Sequence, residues 1–152
     1  MTLILVRPHT SLLDGPAVAL YLGKIGMRNA VFAVDPDYAR HPIWKRILNA
    51  YGWITGRHTM LPLDATHPFA LRALDRLLQE GRNVVIFPQG TGIGDPDRPD
   101  AKGVDWLIKH QGRGGRHLLT YRPMVLTLSH NSTWPHVAQS TPESWILRRA
   151  LA

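Results

Sequence analysis

The sequence contains no cysteine, which excludes disulfide bonds and cysteine-ligated zinc or iron–sulfur sites as supports for the fold. It also has no long hydrophobic run. Its first apolar stretch, residues 3–6, is interrupted by Arg7 and Pro8, and no later run approaches the roughly 18 residues that a membrane-spanning helix needs. We therefore expect neither a membrane span nor a secretion signal.

Acidic residues are few. The chain has 11 aspartates and glutamates against 18 lysines and arginines, a formal net charge of +7 with histidine neutral. Such a balance favours an anionic partner, which could be nucleic acid, a lipid surface or an acidic small substrate. The basic residues are scattered, with no arm-like block and no nucleic-acid-binding motif, so we expect no nucleic-acid partner. The eight histidines form no HExxH or other recognised metal motif, so no metal site is predicted.

The pattern of apolar runs predicts the fold class. A chain of 152 residues with 44% apolar and 19% charged residues suits one ordinary folded domain. Continuous apolar runs, typical of parallel strands covered on both faces, occur at residues 3–6, 30–34, 60–63, 84–87 and 124–128. Helical patterns lie between them, at residues 16–22, 42–51, 68–80 and 104–110. We expect an α/β fold with a mixed, largely parallel central sheet flanked by helices.

The second helical pattern, residues 42–51, combines an apolar face with cations, and we expect Gly52 to end it. The predicted apolar face, which we expect to pack in the core, consists of Ile43, Trp44, Ile47, Leu48 and Tyr51. Alternatively, Trp44 with Lys45 and Arg46 would suit an anionic lipid interface.

A short polar turn follows the first predicted strand. In "HTSLLD", residues 9–14, His9 and Asp14 would be about 140° out of phase on a regular helix, so their side chains can meet only across a turn. The Asp14 carboxylate would then hold one tautomer of His9 and stabilise its protonated form, leaving the other ring nitrogen to act as a general base. The alternative is that Asp14 caps the following helix and His9 is a loop residue.

A glycine-rich loop follows the fourth predicted strand. The segment "VVIFPQGTGIGDPDRPD", residues 84–100, has the order of strand and then glycines that phosphate-binding loops show. It matches neither standard fingerprint, because Asp95 stands where the dinucleotide motif needs glycine and the Lys-Ser/Thr ending of the Walker motif is missing. We therefore expect no nucleotide site.

Together, the two segments resemble the glycerophospholipid acyltransferases, a family that shares an HxxxxD motif and an FPEGTR-type motif. Here those motifs are "HTSLLD" at residues 9–14 and "FPQGTG" at residues 87–92. With "VFAVD" (31–35) and "MLPLDATHP" (60–68) between them, the chain looks most like the acyltransferase part of the bacterial 2-acylglycerophosphoethanolamine acyltransferases, over residues 2 to about 130.

The resemblance implies an O-acyltransferase. His9, oriented by Asp14, would deprotonate the free hydroxyl of a lysophospholipid, whose oxygen attacks the thioester of acyl-carrier protein or acyl-coenzyme A. Neither a cofactor nor a cysteine nucleophile is required, and we expect Ser11 to stabilise the turn rather than to act as a nucleophile. The implied substrate-binding residues of the second motif are Phe87, Pro88, Gln89, Gly90, Thr91 and Gly92. The implied location is cytoplasmic, peripherally bound at the anionic surface of the cytoplasmic membrane.

The second motif departs from the family at two positions. Gln89 and Gly92 stand where the family has a glutamate and commonly an arginine. Gln89 retains an acceptor oxygen, whereas Gly92 lacks the guanidinium fork that suits phosphate. Arg57, in "GWITGRHTM", lies where the family places a basic phosphate-binding residue; the alternative is a solvated surface arginine. With both charges missing, the chain could instead be an acyltransferase-like module that binds lipid or acyl-carrier protein without turnover.

The resemblance also divides the chain. We expect residues 1–131 to form the acyltransferase-like domain and residues 132–152 a C-terminal extension. Within the extension, "SWILRRALA" predicts a short amphipathic helix.

Overall fold

A computed structural model describes residues 3–7, 13–34, 41–62, 68–89, 103, 124–130 and 134–140. Its strands are β1 (Leu3–Arg7), β2 (Ala30–Val34), β3 (Thr59–Pro62), β4 (Asn83–Ile86), β5 (Met124–Ser129) and β6 (His136–Ser140). Its helices are α1 (Asp14–Lys24), α2 (Pro42–Gly56) and α3 (Pro68–Gln79). The five strands expected from the apolar runs are confirmed, each within one residue at either end.

The strands form one sheet in the order β3-β2-β4-β1-β5-β6. Strands β1 to β5 are parallel to their neighbours, and β6 pairs antiparallel with β5. The predicted mixed, largely parallel α/β sheet is therefore confirmed. The chain moves outward from β1 through α1 and α2 to β3, then returns through α3 to β4. Because such crossovers are right-handed, α3 lies on the opposite face of the sheet from α1 and α2.

Alternate strand residues pack on opposite faces of the sheet, which explains why the strands are apolar throughout. On the α1 face the buried cluster includes Ile4, Val6, Val18, Leu22, Phe32 and Leu126. On the α3 face it includes Leu3, Leu5, Leu71, Leu74, Leu78 and Ile86. The sheet is thus the middle layer of three, and its two ends remain available for a site.

Helix α2 is longer than predicted, because Gly52 does not end it. The helix ends at Gly56, where Arg57 adopts the left-handed conformation with φ 56° and the His58 backbone N–H donates to the Gly52 carbonyl at 2.9 Å. Gly52 instead lies close to the chain that leads into β3, since a Cβ atom there would lie 2.7 Å from Cε of Met60 and 3.2 Å from the backbone oxygen of His58. Glycine at this position thus serves packing rather than a helix stop.

The expectation that the apolar face of α2 packs in the core is wrong for the first half of the helix. The side chains there are 64%, 52% and 50% exposed, for Ile43, Trp44 and Ile47. Tyr51, one turn on, is half-buried, and its hydroxyl donates to the Pro16 carbonyl at 3.1 Å. The reason is that α2 packs against α1 through its second half, where Gly23 of α1 lies against the backbone of Thr55. The first half of α2 extends past this contact and is exposed.

Strand β6 was not predicted. Its sequence, HVAQS, is short and half polar, and it is held at the sheet edge by pairing with β5 from Ser129↔His136 to Val125↔Ser140. The sheet therefore extends beyond residue 131. The helix predicted at residues 104–110 and the amphipathic helix predicted in "SWILRRALA" lie outside the described residues.

Candidate active site

The carboxyl ends of three neighbouring parallel strands bring polar residues to one edge of the sheet. Asp14 follows β1, Gln89 follows β4 and His130 follows β5. Because β1 lies between β4 and β5 and is parallel to both, these three segments leave the sheet side by side. Ligands of open α/β sheets bind at this carboxyl edge, so the edge is the candidate active site.

Asp14 is the first residue of α1, and it is completely buried. The residue before it, Leu13, occupies the N-cap position without a side-chain cap hydrogen bond. Asp14 is therefore not the N-cap residue that the alternative interpretation of the sequence required. A carboxylate in the first turn lies in the favourable field of the helix N-terminus, which helps to stabilise its charge away from water.

The Asp14 carboxylate contacts a histidine that the sequence analysis did not single out. Nε2 of His130 lies 2.7 Å from Oδ1 of Asp14, and 28% of the histidine side chain is exposed. Since a carboxylate can only accept, Nε2 donates the hydrogen bond. One feature of the sequence could have pointed to His130, which directly follows β5. The carboxyl ends of adjacent parallel strands lie at the same edge of a sheet, so a polar residue at that position is a candidate for the site.

The second motif begins at the same edge. Phe87 is half-buried and packs against the cluster on the α1 face, while Pro88 and Gln89 are buried. Gln89 is only 7% exposed, so its amide lies inside the edge rather than on the surface. The sequence-predicted residues Asp14, Phe87, Pro88 and Gln89 are thus brought to one place. His9, Gly90, Thr91 and Gly92 lie outside the described residues.

Arg57 is not at this edge. It precedes β3, and the amino ends of the parallel strands lie at the opposite end of the sheet. It closes α2 in the left-handed conformation, and its guanidinium carbon lies 5.7 Å from the centroid of the Trp53 ring. This cation–π contact is on an exposed surface. The structure therefore places Arg57 apart from Asp14 and Gln89, in agreement with the alternative of a surface arginine.

Arg7 places a cation at the carboxyl end of β1. It is the last residue of β1, pairs in register with Thr127 of β5, and is half-buried. Its position in the chain, just before "HTSLLD", places positive charge at the same carboxyl edge as Asp14. A half-buried guanidinium suits an anionic substrate better than a fully solvated one, because less water screens it.

A largely parallel sheet, with a buried carboxylate hydrogen-bonded to a partly exposed histidine at its carboxyl edge, defines an α/β protein with an enzyme-like site. A sequence-family model described as Acyltransferase matches residues 2–113, and the chain belongs to this acyltransferase family. Acyl transfer is the chemistry of that family. No solved structure matches the chain.

Two further features bear on the site. Within the described ranges, no helix is both long and apolar enough to cross a bilayer. Among those same residues, no group of three or more histidine, aspartate or glutamate side chains is arranged to hold a metal ion.

Proposed function

We propose that this protein transfers a fatty acyl group from a thioester to the free hydroxyl of a lysophospholipid, as the 2-acylglycerophosphoethanolamine type of acyltransferase does. The observation that carries the proposal is the buried Asp14 carboxylate at the carboxyl edge, in the last position of "HTSLLD". A buried carboxylate is costly unless it orients or stabilises a partner. His130 is one such partner, and the resemblance to the HxxxxD motif makes His9 the catalytic one.

In the proposed reaction His9 removes the proton from the lysophospholipid hydroxyl as its oxygen forms a bond to the thioester carbonyl carbon. The carbon–sulfur bond then breaks, and the proton passes from His9 to the departing thiolate. Asp14 stabilises the imidazolium that exists between these two steps. The acyl donor is acyl-carrier protein or acyl-coenzyme A, and no cofactor takes part.

The lysophospholipid phosphate needs a cation at the same edge as Asp14. We assign this role to Arg7, which is half-buried there, in place of Arg57 at the opposite end of the sheet. Gln89 lines the edge as a buried neutral amide, so it adds no charge that would oppose the phosphate. With Arg7 as the phosphate-binding cation, the protein keeps a positive charge for the substrate although Gln89 and Gly92 leave the second motif neutral.

Exposed apolar residues around the carboxyl edge favour action at a lipid surface. They begin helices or precede strands at that edge, on both faces of the sheet: Leu13, Ile43, Trp44, Phe69 and Trp134. Phe69, at the start of α3, is 79% exposed. Together with the net charge of +7, this arrangement fits peripheral binding to the anionic cytoplasmic face of a membrane, with the site turned toward the lipid.

The test is a radiolabelled acyl-transfer assay of the purified chain on a panel of lysophospholipids with both thioester carriers. We expect transfer by the wild type and its loss in His9→Ala and Asp14→Asn, with folding checked by circular dichroism. His136→Ala, an exposed histidine on β6, is the matched control and should retain activity. Normal turnover in His9→Ala would refute the general-base role.

The neutral second motif favours one other candidate, an acyltransferase-like module that binds lipid or acyl-carrier protein without turnover. Gln89 and Gly92 remove both charges that the family carries there. Saturable lysophospholipid binding with no product from either carrier would support this candidate over the enzyme.

A further inference from the structure

The hydrogen bond between Asp14 and His130 joins two distant parts of the chain. His130 lies 116 positions after Asp14, and it is placed by β5, which pairs directly with β1. The register Arg7↔Thr127 brings the end of β5 beside the end of β1, the strand that precedes α1 and Asp14. The contact is therefore positioned by two neighbouring strands of the sheet, at their carboxyl ends.

The chemistry of the contact limits its function. The carboxylate is fully buried, and Nε2–H of the partly exposed imidazole donates to Oδ1. A hydrogen bond to an ionised carboxylate is shorter and stronger than one between neutral groups, and 2.7 Å lies within that range. Holding one oxygen removes the freedom of the carboxylate to rotate about its terminal torsion, which is otherwise broad.

We propose that His130 is a positioning residue of the acyl-transfer site: it fixes the Asp14 carboxylate by donating from Nε2 to Oδ1, so that the carboxylate keeps the orientation required by His9. The inference rests on the proposed roles of His9 and Asp14. His130 does not exchange a proton with substrate in this scheme. Its effect passes through Asp14, whose orientation matters most when the imidazolium of His9 forms.

The kinetic test compares His130→Ala with His130→Gln. The glutamine amide places an N–H donor near the position of Nε2, whereas alanine removes the donor. We expect His130→Ala to lower kcat by up to about 100-fold with little change in KM, the loss that misplacing a reacting group by about 1 Å causes. His130→Gln should recover most of that loss, and His136→Ala should match the wild type.

Three kinetic results would overturn the proposal: wild-type kcat in His130→Ala, no recovery in His130→Gln, or an effect confined to KM, which would indicate direct substrate contact. Thermal melting of each variant separates loss of function from loss of folding. If His130→Ala does not fold, the glutamine variant and the spectroscopic test below still decide.

The spectroscopic test needs no turnover. In wild-type protein with ¹⁵N-labelled histidine, we expect an imidazole N–H proton that is protected from solvent exchange and shifted downfield by the carboxylate. This signal should be absent in His130→Gln and lose its downfield shift in Asp14→Asn. Absence of such a signal in the wild type overturns the inference. If the signal is present but His9→Ala transfers acyl groups normally, the proposed general-base role of His9 has failed while the contact stands.

Discussion

The imidazole ring of His58 packs edge-on against the ring of Phe32, with centroids 5.4 Å apart and 63° between the ring planes. The Ala30 backbone N–H donates to Nδ1 at 3.2 Å, so Nε2 carries the proton and donates to the Ala19 carbonyl at 3.2 Å. His58 is thus a buried neutral histidine that links α1 to β2 through both ring nitrogens. It is a structural residue at the amino end of the sheet, the end opposite the candidate site.

The first prediction concerns pH and stability. Burial lowers the pKa of His58 from its usual value of 6.5, and the hydrogen bond to Ala19 only partly opposes this. Below about pH 6.5 the unfolded chain therefore takes up a proton that the folded protein resists, so stability falls as the pH decreases. The slope contributed by one such group reaches at most about 1.4 kcal/mol per pH unit.

Urea unfolding of the wild type and His58→Gln between pH 8 and pH 5 measures this effect. The glutamine variant should be less stable at pH 8 but should lose less stability on acidification. His136→Gln, which replaces an exposed histidine, should follow the wild-type slope. Parallel curves for the wild type and His58→Gln would show that His58 does not resist protonation.

The second prediction concerns the contact between α1 and α2. A Cβ atom at Gly23 would collide with the backbone carbonyl of Thr55, which cannot move without shifting the helix. Gly23→Ala should therefore lower the free energy of unfolding by roughly 1–3 kcal/mol. Gly15→Ala, in the same helix with no atom within 4 Å of the added Cβ, should be neutral or stabilising by about 0.4–1 kcal/mol. Equal melting temperatures for the two variants would argue against the close approach.

The third prediction tests the orientation on a lipid surface. Trp44 lies near the start of α2 at the carboxyl edge, and Ile54 lies ten residues later, about 15 Å along the helix axis. The double change Ile43→Ser with Trp44→Ser should weaken binding to anionic vesicles about tenfold or more, because each side chain buries apolar surface in the interface. Ile54→Ser should leave binding unchanged, although Ile54 is 81% exposed.

Vesicle flotation in increasing salt measures both effects. Binding of the wild type should fade as salt rises, since charges are screened over about 10 Å at 0.1 M. A loss in Ile54→Ser equal to that in the double variant would mean that α2 lies flat on the lipid. Equal binding to neutral and anionic vesicles would remove the electrostatic part of the argument.

The fourth prediction concerns the neutral second motif. Gln89→Glu alone places a carboxylate at a buried position on the same edge as Asp14, where it would repel the substrate phosphate and raise KM for lysophospholipid. Combining it with Gly92→Arg supplies a partner for the carboxylate and a planar cation for the phosphate. The double variant should therefore lower KM more than the sum of the single effects predicts. Simple additivity with normal melting curves would indicate that the motif is adapted to a different acceptor.

The order and type of the main elements were predictable from the sequence because buried parallel strands must be continuously apolar. The runs at residues 30–34 and 84–87 illustrate this, since both faces of β2 and β4 are covered by helices. Strand β6 was not predictable, because an edge strand is held by its pairing to β5 and needs no long apolar run. Likewise, the apolar stripe of α2 does not reveal that the first half of the helix faces solvent.

For the site, the sequence by itself determined the two motifs and the family, because these depend on residues close together in the chain. Only the tertiary structure decided which residues share an edge of the sheet. It brought His130, which lies 116 positions after Asp14 in the chain, into a hydrogen bond with the Asp14 carboxylate. It placed Arg57 at the opposite end of the sheet. The reason is that two residues distant in the chain share an edge of a parallel sheet only if the order and direction of their strands place them there. No local sequence pattern encodes strand order or direction.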